Sequence, residues 1–219
     1  MKLEIESYLT QKQRWPTEGC HILAQYDDES IIVYQAYRPS IGRFAIDNGY
    51  FGGDFSYSRM SWIKPNFLWM MYRSGWGKKP GQEIILAIRL KRAFFDLILS
   101  QAVPSSYQRK FYSTQEQWKK AVDASSVRLQ WDPDHNPSGK KVQRRAIQLG
   151  LRDNILKEYS KSAIIEIYDI SHFVNEQHHN LQSGYSNLKT PKEEIYLPSI
   201  EISTKISLSI SFGNNGHDS

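Results

Sequence analysis

The stretch Arg59–Gly77, RMSWIKPNFLWMMYRSGWG, constrains the fold more than any other part of the chain. Phe67 through Tyr72 run without a polar break, and Pro65 suits the first turn of a helix because its missing N–H would be unpaired there anyway. A helix that is apolar all round has to be buried all round, so a core must be assembled about this element. Lys64 and Arg73 stand at its two ends and Arg59 lies just upstream, which crowds cations around an apolar block. Trp62, Trp69 and Trp76 recur every seven residues through the same stretch. Trp69 reads as core, whereas Trp62 and Trp76 fall beyond the helix ends and are candidates for a flat stacking surface.

The elements around this block read as an α+β fold, a single domain with small mixed or antiparallel sheets and packed helices. The compact run SIIVYQAY (Ser30–Tyr37) predicts a strand, and RPSIGRFAIDNG then predicts a short helix stopped at Asn48-Gly49. IILAIRLKR reads as a second strand, followed by a helix over AFFDLILSQAV. Val103 to Ser126 is polar, helical or irregular, with Trp118 as its anchor. VRLQWDP and KVQRRAIQLGL read as two strands of a hairpin with a long loop. A helix from Asp153, a strand over SAIIEIYDI and a helix from His172 to Leu181 complete a globular domain assigned to residues 1–190. Residues 191–219 read as an extension, in which SIEISTKISLSISF alternates like an edge strand and GNNGHDS forms a disordered end.

At 219 residues, 40% hydrophobic and 23% charged, the chain has ordinary globular composition, which excludes disordered and fibrous classes. No apolar run is long enough to span a membrane, and the N-terminus lacks the apolar core of a signal peptide, so the expected setting is cytoplasmic. Cys20, the single cysteine, excludes an internal disulfide framework. The net charge of +5 conceals an asymmetry: residues 1–58 carry −3, residues 59–152 carry +12 and residues 153–219 carry −4. The basic middle points to an anionic partner, a nucleotide or a nucleic acid.

Scattered histidines give no support to a metal site, and no nucleophile elbow, phosphate loop or dinucleotide fingerprint is present. Three groups of polar and aromatic residues remain as candidates. The first is Gln35, Tyr37 and Arg38 at the end of the first strand, Gln35 and Tyr37 sharing a face. The second is Arg59, Trp62, Lys64, Arg73 and Ser74 around the apolar block. The third is Arg128, Gln130 and Asp132 on one face of VRLQWDP, with Arg144 and Gln148 on one face of the neighbouring strand and Arg145 on the other. Arginines in such a setting need an anionic partner, which a pyrophosphate supplies and a structural carboxylate supplies equally; Glu83, Asp132 and Asp134 are available for that role.

The strings IIVYQAYRPSIGRFA, FSYSRMSWIKPNFLWMMYRSGW, QEIILAI, VRLQWDPDH and RRAIQLGLR resemble the motifs of the family called domain of unknown function 4291, over about Tyr26 to Thr190. That family name implies no activity. In addition, VYQAYRPSIGRFAIDNGYF is similar to the opening strand and helix of small ADP-ribosyltransferase folds. This resemblance implies a cleft between two small sheets that holds NAD as a substrate. Gln35 would take the place of the nucleotide-holding His or Arg of those enzymes, and Gln148 would fall near their late-strand glutamate. Both are neutral amides here, so Glu83 or Asp132 becomes the candidate acid that stabilises positive charge developing on the ribose. The function expected from the sequence is therefore ADP-ribosyltransferase-like binding of NAD or a related nucleotide. A nucleic-acid-binding or nucleic-acid-modifying module and a non-catalytic interaction protein are the alternatives.

Overall fold

The computed structural model describes residues 3–209. The chain opens with β1 (Ile5–Ser7), α1 (Tyr8–Arg14), β2 (Gly19–Cys20) and β3 (Ile22–Ala24). The first long strand, β4 (Ser30–Tyr37), leads into α2 (Pro39–Asn48), and β5 (Ser61–Ile63) leads into α3 (Phe67–Ser74). Next come β6 (Ile84–Lys91), α4 (Arg92–Gln101), β7 (Val103–Pro104) and α5 (Gln115–Ala124). The hairpin of β8 (Val127–His135) and β9 (Lys141–Leu151) precedes α6 (Asp153–Tyr159), β10 (Ile164–Asp169) and α7 (Ser171–Asn180). Finally, β11 (Lys189–Pro191), β12 (Glu194–Tyr196) and α8 (Ile200–Lys205) close the described chain.

These elements make a single α+β domain of small sheets and packed helices. One sheet is antiparallel, in the order β10-β6-β4. The other is built on β9, which pairs with β8 along one edge and divides its second edge between β2 at Arg144–Arg145 and β5 at Leu149–Leu151. β7 extends that sheet beyond β8. Two small pairs, β1 with β11 and β12 with β3, tie the ends of the chain together. The two main sheets join where Lys64, just past β5, exchanges backbone hydrogen bonds with Tyr34 of β4 at 2.7 and 3.3 Å.

The unbroken apolar runs of β4 and β6 follow from burial on both faces. Ile31 and Val33 of β4, with Leu86, Ile88 and Leu90 of β6, enter a cluster shared with β8, β9 and α4. Ile32 and Tyr34, with Ile85 and Ala87, enter a second cluster built on Phe67, Leu68, Met70 and Met71 of α3. A strand covered on both sides cannot alternate polar with apolar residues, and Ile31–Tyr34 and Ile84–Ile88 do not; alternation returns only at Arg89–Lys91, where β6 reaches the surface.

The structure corrects two readings of α3. Pro65 lies before the helix instead of in its first turn, because residue 64 is held extended against β4 and the chain turns only at Asn66. Asn66 is the N-cap, its Oδ1 accepting from the Trp69 N–H at 2.7 Å. Nor is α3 buried all round: Tyr72 is 40% exposed and Arg73 faces solvent. The helix ends at Gly75, Trp76 and Gly77, all left-handed with φ of 58°, 56° and 73°. Glycine takes that region freely, whereas Trp76 holds it against a steric cost while its ring is buried.

Beyond residue 190, the edge strand expected over 199–212 is replaced in its first part by α8 at 200–205, and 210–212 lie outside the described residues. Ser199 caps this helix through the Ile202 N–H at 3.3 Å, and Glu201 lies in its first turn, where an acid favours the positive end of the helix dipole. Ile206 and Leu208 reach the first apolar cluster. The segment GNNGHDS, read as a disordered end, lies outside the described residues. Among the described residues no helix is long and apolar enough to cross a membrane.

Candidate functional site

The C-terminal end of β4, the start of α2, the loop before β5, β5 itself and α3 surround a cleft of about 450 Å³. Its inner wall is held by one polar buckle. Gln35, 3% exposed, donates to Ser61 Oγ at 2.8 Å and to the Trp62 carbonyl at 3.1 Å, and its own carbonyl accepts from the Tyr159 hydroxyl at 2.5 Å. Tyr37 stands 2.9 Å from the same Ser61 Oγ. Burial drives the Tyr37 and Tyr159 hydroxyls well above the ordinary phenol range, so both remain protonated donors.

Four cations line the cleft: Arg38, Arg59, Lys64 and Arg73. Asp54 is the one carboxylate on this lining, and it is engaged by Arg38 at 3.1 Å. Arg59 and Arg73 are exposed, and among the described residues neither has a carboxylate within ion-pairing distance. Lys64 is 6% exposed, and its amine makes one long contact, 3.4 Å, with the Trp62 carbonyl. Burial, and then the neighbouring Arg73, push the Lys64 amine down to about 7, while Asp132 opposes the shift. The half-buried Trp62 adds an aromatic surface to the wall. Such a site can hold an anion beside a flat ring, next to an amine that gives up its proton near neutral pH.

Other candidates fall outside the cleft lining. Asp132 accepts from Gln130 at 2.9 Å and from Gln148 at 2.7 Å, so the three residues form a cluster on the β8–β9 face, close enough to Lys64 to act on its charge. Glu83 is exposed and accepts from the Gly81 N–H at 2.8 Å. Ser74 is buried and bonds back to the Met70 carbonyl at 2.9 Å, bracing the end of α3. Arg145 is exposed beside Cys20. Arg128 bonds to the Ser125 carbonyl at 3.0 Å. Arg144 holds Asp134 at 2.5 Å with both groups buried, a structural ion pair. Trp76, offered for stacking, is instead buried against His178 and donates to the Pro137 carbonyl at 3.3 Å. Among the described residues no group of three or more His, Cys, Asp or Glu is gathered to hold a metal ion.

The family model described as Domain of unknown function (DUF4291) matches residues 21–196. The chain belongs to this family. Comparison with curated proteins gives no match. The DUF4291 span contains every cleft residue from Gln35 to Gln82 and the Asp132 cluster, and it leaves out β1, α1 and α8. It also accords with the motif strings that resembled this family. Ser61, Tyr159 and Asp54 escaped the sequence reading of this DUF4291 chain. Asp54 sits in a loop and Ser61 in a three-residue strand, neither of which shows periodicity, and Tyr159 lies 124 positions from the Gln35 it orients.

Proposed function

We propose that the cleft binds a phosphate-bearing ligand, with NAD or a related nucleotide as the class. The observation that carries this reading is the charge of the lining: among the described residues Arg59 and Arg73 have no carboxylate partner, and the single lining carboxylate, Asp54, is engaged by Arg38. A guanidinium offers two parallel N–H donors to a phosphate, so two free arginines across one cleft suit a pyrophosphate. Trp62 offers a face for a nucleobase or nicotinamide ring, and a volume of about 450 Å³ is within the usual range for such ligands. Transfer of ADP-ribose from NAD would further need a carboxylate to stabilise the cationic ribose as nicotinamide departs. Asp132, which acts on the charge of Lys64 from the β8–β9 face and is oriented by Gln130 and Gln148, meets that need better than Glu83, which is exposed and turned to its own loop.

Thermal unfolding with NAD and with ADP-ribose tests the reading. A saturable rise in Tm is expected, lost in the Arg59→Ala, Arg73→Ala double variant, whose own Tm without ligand stays close to that of the native chain because both side chains are exposed. No shift at millimolar nucleotide would overturn it.

A further inference from the structure

We propose that Lys64 is a nucleophilic amine that forms an imine with the carbonyl carbon of an anionic, phosphate-bearing aldehyde, such as the open-chain end of a phosphorylated sugar. This rests on the phosphate-binding reading of the cleft. A lysine kept for structure is expected to meet a carboxylate, as Arg144 meets Asp134 at 2.5 Å in the same molecule. A lysine kept only to attract anions is expected to stay hydrated, as Arg59 and Arg73 do. Lys64 does neither. It is 6% exposed on the cleft lining, its amine reaches only the Trp62 carbonyl at 3.4 Å, and among the described residues no carboxylate lies within ion-pairing distance.

The charged groups that act on it are Arg73, a like charge that disfavours the ammonium, and Asp132, which favours it. Burial with Arg73 prevails and brings the amine down to about 7, so a large share carries a free lone pair at neutral pH. Desolvation together with an adjacent cation is a known means of activating a lysine toward carbonyls. Arg59 and Arg73 would hold the phosphate of the same molecule. In the step itself the nitrogen lone pair attacks the carbonyl carbon and a C–N bond forms, while the carbonyl oxygen takes up a proton. The carbinolamine then loses water as the C=N bond forms, with the nitrogen giving up its protons, so that amine and aldehyde yield imine and one water without any oxidant or reductant.

Pyridoxal 5′-phosphate, an anionic aromatic aldehyde, is the probe. The full chain is incubated with equimolar probe at pH 7, reduced with borohydride, digested and mapped by mass. The adduct is expected on Lys64 at about tenfold or more over the exposed Lys78 and Lys79. Pyridoxal without phosphate is expected to lose that preference. A Lys64 that is unlabelled, or labelled no faster than Lys78 and Lys79, would overturn the proposal, and equal labelling by both probes would overturn its anionic class. The map is read on the native chain, so the result does not depend on whether Lys64→Met folds. Stabilisation by ADP-ribose without a Lys64 adduct would remove the imine and leave the phosphate site standing. An adduct without nucleotide stabilisation would support the imine and remove the nucleotide.

Discussion

Gln35 sits at the cleft yet has little left to offer a ligand. Both amide N–H groups and the carbonyl are taken by Ser61, Trp62 and Tyr159, so the residue acts as a buckle that fixes β5 against β4. Lys64 is the residue with unmet demand. Its folded pKa, about 7, lies below the unfolded lysine value, so the unfolded chain binds more protons between these values and stability rises with pH across that window. Lys64→Met therefore stabilises the chain at pH 7 by about 1–4 kcal/mol, and the gain shrinks toward zero as pH approaches about 10.5. Urea unfolding of both proteins across that range measures it, and a gain independent of pH would contradict the protonation argument. Asp132→Asn separates binding from chemistry. If Asp132 stabilises a cationic ribose, the variant loses nicotinamide release from NAD by about 100-fold or more while the NAD-induced Tm shift remains. Loss of both together would assign Asp132 to binding instead.

At the scale of elements, α3 decides where the cleft cations stand. Its start is fixed twice, by the Asn66 cap on the Trp69 N–H and by the buried Glu193, whose carboxyl accepts from the Phe67 N–H at 2.6 Å and from Asn66 at 3.1 Å. Burial drives the Glu193 carboxyl well above the usual carboxylate range, with the Phe67 N–H opposing. Asn66→Ala removes the cap and one bond to Glu193, and is expected to cost about 1–3 kcal/mol in chemical denaturation. An unchanged midpoint would show that Glu193 alone suffices. β5 matters in the same way despite its three residues: Trp62 lies against Gly150 of β9, where an added Cβ would come within 2.5 Å of Met60 Sδ and 3.0 Å of the indole. That close approach sets the depth of the aromatic wall.

For the whole molecule, charge and chain ends are linked. Cations of the basic middle segment meet acids of the flanking parts: Arg92 with Asp28 at 3.7 Å, Arg152 with Asp153 at 3.3 Å and Arg89 with Glu166 at 4.0 Å. Three of the excess cations are matched in this way, and among the described residues Arg59 and Arg73 on the cleft stay without a carboxylate partner. The segment after residue 190 is equally built in as far as it is described, since β12 pairs with β3 and Glu193 braces α3. Truncation after residue 190 is therefore expected to abolish cooperative unfolding, and a truncated chain that melts like the native one would refute this coupling. What the sequence alone determined is local. The double-faced runs of β4 and β6 were legible because burial on both sides leaves few polar positions in the pattern, and the block of α3 because Phe67 to Met71 are all apolar and buried. The hairpin of β8 and β9 was legible because two strand-like runs flank a turn-rich loop. Tertiary structure decided the rest. Short strands such as β5, β11 and β12 carry too few residues to show a period, and α8 took the place of the expected edge strand where Ile206 and Leu208 pack into the first apolar cluster. Which cations went unpaired also depended on contacts far apart in sequence, because a guanidinium's partner is chosen by distance in space and not along the chain.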